Sequence, residues 1–146
     1  LKTGLQCAEF AGHVGGLELA RLAAEVGHEY NGAWIVVERN NHGSGVLAHL
    51  AASCRYEKIY CEGGRRGGQP GWLTTTLSRP AALSRLDAAL VKEPERFMSG
   101  RLLAECRSFV RLANGSSGAQ AGTHDDRVMA MAIGLAAREE LLALSG

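Results

Sequence analysis

Three aspartates occur in the chain, and two of them are adjacent: Asp125 and Asp126, inside His124-Asp125-Asp126-Arg127-Val128-Met129-Ala130. Paired carboxylates at the start of an apolar helix make a dense negative point that a divalent cation neutralises. The third, Asp87, stands alone, so the pair is not background from an acid-rich chain. A second acid, Glu38, ends the most strand-like run, Ala33-Trp34-Ile35-Val36-Val37. An acid at a strand end and an acid at a helix start can share one metal site although far apart in sequence. Each also has a plainer reading. Asp is a preferred N-cap, and negative charge at a helix N-terminus is favourable by about 0.3–1 kcal/mol. Glu38 alone reads more often as a solvated strand end. His124 stays open between ligand, general acid–base group and exposed loop residue.

Asn40, Asn41 and His42 follow Glu38 and lead into glycines. They suit turn chemistry, because Asn and Gly tolerate positive φ, or they orient a scissile phosphate and its water. Arg65 and Arg66 sit in a basic glycine loop over residues 63–71, and Arg79 lies downstream. Such arginines are solvated charges or a finger laid on a phosphate backbone. Trp72 reads as a core or loop anchor. An aromatic content of 5% does not support a surface that stacks single-stranded bases. His42, His49, Cys54 and Cys61 match no common zinc-module spacing.

The elements that must position these residues follow from periodicity and punctuation. Residues 5–10 suggest a strand running into glycines 12, 15 and 16. Leu19, Leu22, Ala23, Val26 and Tyr30 recur at helical spacing over 17–30. Asn31-Gly32 ends that helix. Residues 33–37 are apolar throughout, which predicts a central strand covered on both faces. A helix over 46–53 and a short strand over 56–61 come next. Ser78-Arg79-Pro80 opens a helix whose stripe is Leu83, Leu86, Leu90 and Val91. Residues 102–106 suit a short helix. Residues 108–112 and 119–121 suit a hairpin across Asn114-Gly115-Ser116-Ser117-Gly118. A last helix runs over 126–144 with Val128, Met131, Leu135 and Leu142 inward. Helix, turn, buried strand is the order of an α/β sheet.

At 146 residues the chain is read as a single domain spanning 1–146, with 46% hydrophobic and 21% charged residues. A formal charge of +1 gives no global pull towards nucleic acid, so any such binding rests on local patches. No apolar run approaches the roughly 18 residues that span a bilayer, and no signal peptide opens the chain. Four cysteines without a CxxC pair read as reduced thiols. The chain opens at Leu1-Lys2-Thr3 as if a hairpin were already under way, and reads as a piece of a longer polypeptide.

The run Trp34-Ile35-Val36-Val37-Glu38-Arg39-Asn40-Asn41-His42-Gly43 resembles the strand and loop carrying the second acid of the phage terminase large subunit nuclease domain. Pro70-Gly71-Trp72 with Thr74, then Arg79-Pro80, is similar to that family's middle segment. Leu103-Ala104-Glu105, Phe109-Val110 and His124-Asp125-Asp126-Arg127-Val128-Met129-Ala130 look like its closing segment, so the resemblance covers essentially the whole chain. It implies an RNase H-like mixed sheet flanked by helices, lacking its first strand in this fragment. That strand would carry another acidic ligand. No GxxxxGK[ST] loop occurs, so the family's ATPase domain is absent too. The resemblance further implies hydrolysis of double-stranded DNA with two Mg²⁺ or Mn²⁺ ions roughly 3.5–4 Å apart. Glu38, Asp126 and Asp125 would be ligands, with Asp126 favoured as the inner one. His124 would join the catalytic group. Arg65, Arg66, Asn40, Asn41, His42 and Arg79 would face DNA. Portal and small terminase subunit would be partners, in the cytoplasm of a bacterial host. The alternative is a non-catalytic module of the same fold that binds DNA or docks.

Overall fold

The computed structural model describes residues 4–65, 67–111, 117–119 and 124–145. Among them are five α-helices: α1 (Gly16–Glu29), α2 (Gly43–Ala52), α3 (Ser78–Lys92), α4 (Gly100–Ser108) and α5 (Asp126–Ala143). Two strands, β1 (Phe109–Arg111) and β2 (Ser117–Ala119), pair antiparallel with Val110 opposite Gly118. The chain divides into two compact units. One comprises Leu1–Phe10 and Thr76–Ala136, the other Ala11–Thr75 and Ala137–Gly146.

The expected RNase H-like mixed sheet is not present among the described residues. The structure is predominantly helical, and beyond the β1–β2 ladder its extended segments meet only in isolated bridges: Ile35 with Ile59, Glu38 with Trp72, and Cys61 with Pro70. The run 33–37 is therefore not a central strand. Its pairing is divided between two partners. Ile35 exchanges bonds with Lys58 and Tyr60, while Val37 and Arg39 exchange bonds with Trp72. Neither partner can extend into a ladder. After Tyr60 and Cys61 the chain enters a 3-10 turn at Glu62–Gly64, and Pro70 offers no N–H beside Trp72. Burial is one-sided as well. Ile35 and Val37 pack against the helices, whereas Trp34 is 39% exposed. Residues 5–10 likewise form no strand.

In the second unit, α1 packs on α2 through a cluster of Ala20, Ala24, Val46, Leu50 and Tyr56, with Ile35, Val37 and Ile59 against it. The packed face of α1 carries Ala20, Ala24 and Gly27, one position on from the bulky residues expected to face inward. Val26 and Tyr30 are half exposed. Small residues let the helix approach closely. The Tyr56 ring lies where a side chain at residue 27 would be, and its hydroxyl donates to the Ala33 carbonyl at 2.5 Å. Tyr60, almost fully buried, donates to the Glu140 carboxylate at 2.5 Å and stacks at a tilt on Trp72. Burial and that carboxylate raise the Tyr60 phenol well above its ordinary range.

In the first unit the buried side chains are Ala82 and Leu86 of α3, Phe97, Leu102 of α4, and Val128, Met129, Ala132, Ile133 and Ala136 of α5. Val91, expected on the α3 stripe, is 76% exposed. In α5 Val128 is buried as expected, but the rest of the inward face runs through Met129, Ala132, Ile133 and Ala136, so Met131 and Leu135 are only half-buried and Leu142 is exposed at 40%. α4 begins with a side-chain cap, the Ser99 hydroxyl accepting from the Leu102 N–H at 3.0 Å.

Candidate functional site

In the first unit the sequence-predicted residues gather at the start of α5. The Asp125 carbonyl accepts the Met129 N–H at 2.9 Å, so Asp125 is the residue from which the helix springs. Its carboxylate pairs with the Arg79 guanidinium of α3 at 3.0 Å, with about 30% of each side chain exposed. Asp126 occupies the first turn, and its side chain is 87% exposed with His124 Nδ1 4.0 Å away. His124 is 82% exposed.

Neither aspartate carboxylate caps the helix. That role belongs to Glu105 of α4, whose Oε2 accepts the backbone N–H groups of Arg127 at 2.9 Å and Val128 at 3.3 Å. Its Oε1 also holds the Arg127 guanidinium at 2.5 Å. Glu9 grips the same guanidinium through Arg127 Nε at 2.9 Å and accepts the Ser99 hydroxyl. The Ser99 hydrogen bond, then the Arg127 guanidinium, hold the Glu9 carboxyl below its usual range against the opposing effect of burial. Glu105 and Glu9 raise the Arg127 guanidinium in turn. Burial, followed by the charge of Glu105, pushes the Cys106 thiol up. The Glu105–Arg127–Glu9 network carries no sequence spacing that announces it. Glu105 stood out only as part of a resembling segment, and Glu9 not at all.

In the second unit Glu38 is exposed at the end of its bridged segment. Two glycines make that placement possible. A Cβ on Gly43 would collide with the Glu38 carbonyl oxygen, so the first turn of α2 rests directly on the Glu38 backbone. Gly71 has φ +84, and a Cβ there would meet the Val37 carbonyl at 2.8 Å and Leu47 at 2.7 Å. The Asn40 side chain mimics a backbone pairing: its amide donates to the Thr74 carbonyl and its oxygen accepts the Thr74 N–H, both at 2.9 Å. Asn41 takes φ 51, and His42 precedes α2 without capping it. Asn40 and Asn41 thus shape the loop, and His42 is left exposed at its rim. Arg39, only 10% exposed, pairs with Glu62 at 2.8 Å. Arg39 Nη1, Trp72 Nε1 and Thr74 Oγ1 are buried on these two bridged segments without a protein partner.

No known family model matches the chain. No curated protein matches it either. The site must be judged on its own chemistry.

Arg65 is exposed, as the loop reading requires, and Arg66 lies outside the described residues. Neither unit, among its described residues, assembles three or more His, Cys, Asp or Glu side chains able to hold a metal ion. The zinc grouping of His42, His49, Cys54 and Cys61 is accordingly not assembled. The acids nonetheless fit a hard cation by donor type: Asp126 and Glu38 present exposed carboxylate oxygens, the ligand class preferred by Mg²⁺ and Mn²⁺. Among the described residues no helix is long and apolar enough to cross a membrane.

Proposed function

We propose that the chain is the nuclease part of a phage DNA-packaging terminase large subunit, cleaving concatemeric double-stranded DNA in a divalent-metal-dependent reaction in the host cytoplasm. One observation supports it above the others. The carboxylates of Asp125 and Asp126 stand at the start of α5 without serving as its caps, because Glu105 meets the first-turn N–H groups. The plain reading of an Asp-Asp pair as capping chemistry is thereby weakened, and the exposed Asp126 carboxylate is left for another partner.

Asp126 would be a ligand of Mg²⁺ or Mn²⁺ with Asp125 beside it, and Glu38 is the other acid that this reading assigns to metal binding. When bound, such ions supply Lewis acidity that activates water and stabilises a departing 3′-oxygen. The protein's own part is positional. Arg79 restrains the Asp125 carboxylate in a defined direction, and the Gly43 contact sets where the Glu38 carboxylate begins. His124 would join the catalytic group beside Asp126, its Nδ1 lying 4.0 Å from the Asp126 carboxylate. Arg65 and Arg66 would neutralise phosphates without reading bases, which suits an enzyme that must cut many sequences. Portal and small terminase subunit are the corresponding partners.

A second reading is a module that binds DNA or docks without cutting. Its support is the Arg79–Asp125 pair, which already neutralises one of the two aspartates. Supercoiled plasmid incubated with the natural polypeptide separates the two. Nicking in Mn²⁺ that stops in EDTA supports the nuclease. Retention of the plasmid without nicking in either condition overturns it in favour of the module.

A further inference from the structure

We infer that Glu105 is a positioning residue for the Asp125–Asp126 turn, acting through Arg127 with Glu9 as the second arm of the clamp. The inference rests on the reading of Asp126 as a metal ligand.

An α-helix leaves its first N–H groups without intrahelical partners, and a local Ser, Thr, Asp or Asn normally accepts one of them. Here the acceptor arrives from another helix. Glu105 Oε2 takes the N–H groups of Arg127 and Val128, and Oε1 takes the Arg127 side chain. One carboxylate therefore fixes both backbone and side chain of the residue immediately after Asp126. Glu105 is only 11% exposed, so these charge-assisted bonds are shielded from water and from salt. Glu9 closes the clamp from the amino-terminal segment, and that segment is itself fastened: Gln6 Oε1 accepts the N–H groups of Met98 and Ser99, each at 3.0 Å.

The consequence is a division of labour. A helix capped by its own aspartates would commit those oxygens to backbone N–H groups. A helix capped from outside keeps Asp125 for Arg79 and leaves the Asp126 side chain exposed to solvent, while Glu105 holds the N–H groups of the two residues that follow. Partners behind a metal ligand typically govern affinity by about 10–100-fold, and Glu105 occupies that place in the covalent neighbourhood of Asp126.

Glu105→Gln in the natural polypeptide tests this, with Glu9→Gln as a milder variant should the first fold poorly. Two readouts are taken below the melting temperature of each variant: amide hydrogen exchange along the chain, and Mn²⁺ affinity by titration with the metal alone. The expected result is exchange several-fold faster at residues 127–129 and unchanged in α1 and α2, with Mn²⁺ binding weakened by about 10–100-fold. Glu9→Gln should shift both in the same direction by less. Unchanged exchange in both variants overturns the inference. So does an opened α5 turn whose Mn²⁺ affinity equals that of the unmodified protein. If the unmodified protein takes up no Mn²⁺ while exchange responds as expected, the clamp stands and the nuclease reading falls.

Discussion

Asp126 is the residue on which capping and chemistry make opposite predictions. A capping aspartate costs about 0.5–2 kcal/mol when removed. Asp126 is 87% exposed and Glu105 meets the cap, so Asp126→Asn should change unfolding free energy by less than about 1 kcal/mol in denaturant titration while activity is lost. Glu9 makes a second prediction, in pH. Its carboxyl is held below its ordinary 4.5, chiefly by Ser99 and then Arg127. A lowered carboxylate contributes stability that is fully present above the unfolded value and is lost as pH falls through the folded one. Acid unfolding of the Glu9→Gln variant should therefore be flatter than that of the unmodified protein below about pH 4.5. Parallel acid limbs would deny Glu9 its role. None of this was visible beforehand in the sequence. Asp125-Asp126 is conspicuous as a dipeptide, whereas Glu9, Glu105 and Arg127 become neighbours only in three dimensions.

At the scale of elements, the helices and the antiparallel β1–β2 hairpin were legible, and the extended segments over 5–10 and 33–37 were not. The starts of α3 and α5 were marked by Ser78-Arg79-Pro80 and by Asp125-Asp126, and both helices begin there. Their inward faces were harder to read. In α1 the packed stripe consists of Ala and Gly, one position from the bulky residues, because close approach favours small side chains over large ones, whereas in α5 Ala132, Ala136 and Ala137 alternate with buried Val128, Met129, Ile133 and Leu141. The run 33–37 misled for a different reason. Continuous apolarity fits a two-sided strand, but here helices cover one face and the hydrogen bonds are divided between two short partners. The Gly43 contact is the element-scale feature most open to test. Gly43→Ala would drive a methyl group into the Glu38 carbonyl, and backbone cannot yield as a flexible side chain can. The cost should approach the upper end of the roughly 1–3 kcal/mol for overpacking, read as a lowered denaturation midpoint. A change under about 0.5 kcal/mol would show that α2 does not rest on Glu38.

At the scale of the whole molecule, a formal charge of +1 means that any DNA affinity must come from particular arginines. Arg65 and Arg66 in the glycine loop are the foremost of these. Their joint replacement by alanine should weaken binding to unrelated DNA sequences alike and reduce the slope of log affinity against log salt by about 1.8, two phosphates at roughly 0.9 each. Unaltered affinity and slope would make the loop a bystander. The proposed activity itself is most directly tested by Mn²⁺-dependent plasmid nicking with the natural polypeptide, compared with its Glu38→Gln and Asp126→Asn variants at matched folded concentration. Robust nicking by the unmodified protein and loss by at least about 100-fold in each variant is the predicted result. Equal nicking by all three would contradict the account, because the carboxylates of Glu38 and Asp126 would then have no part in the chemistry.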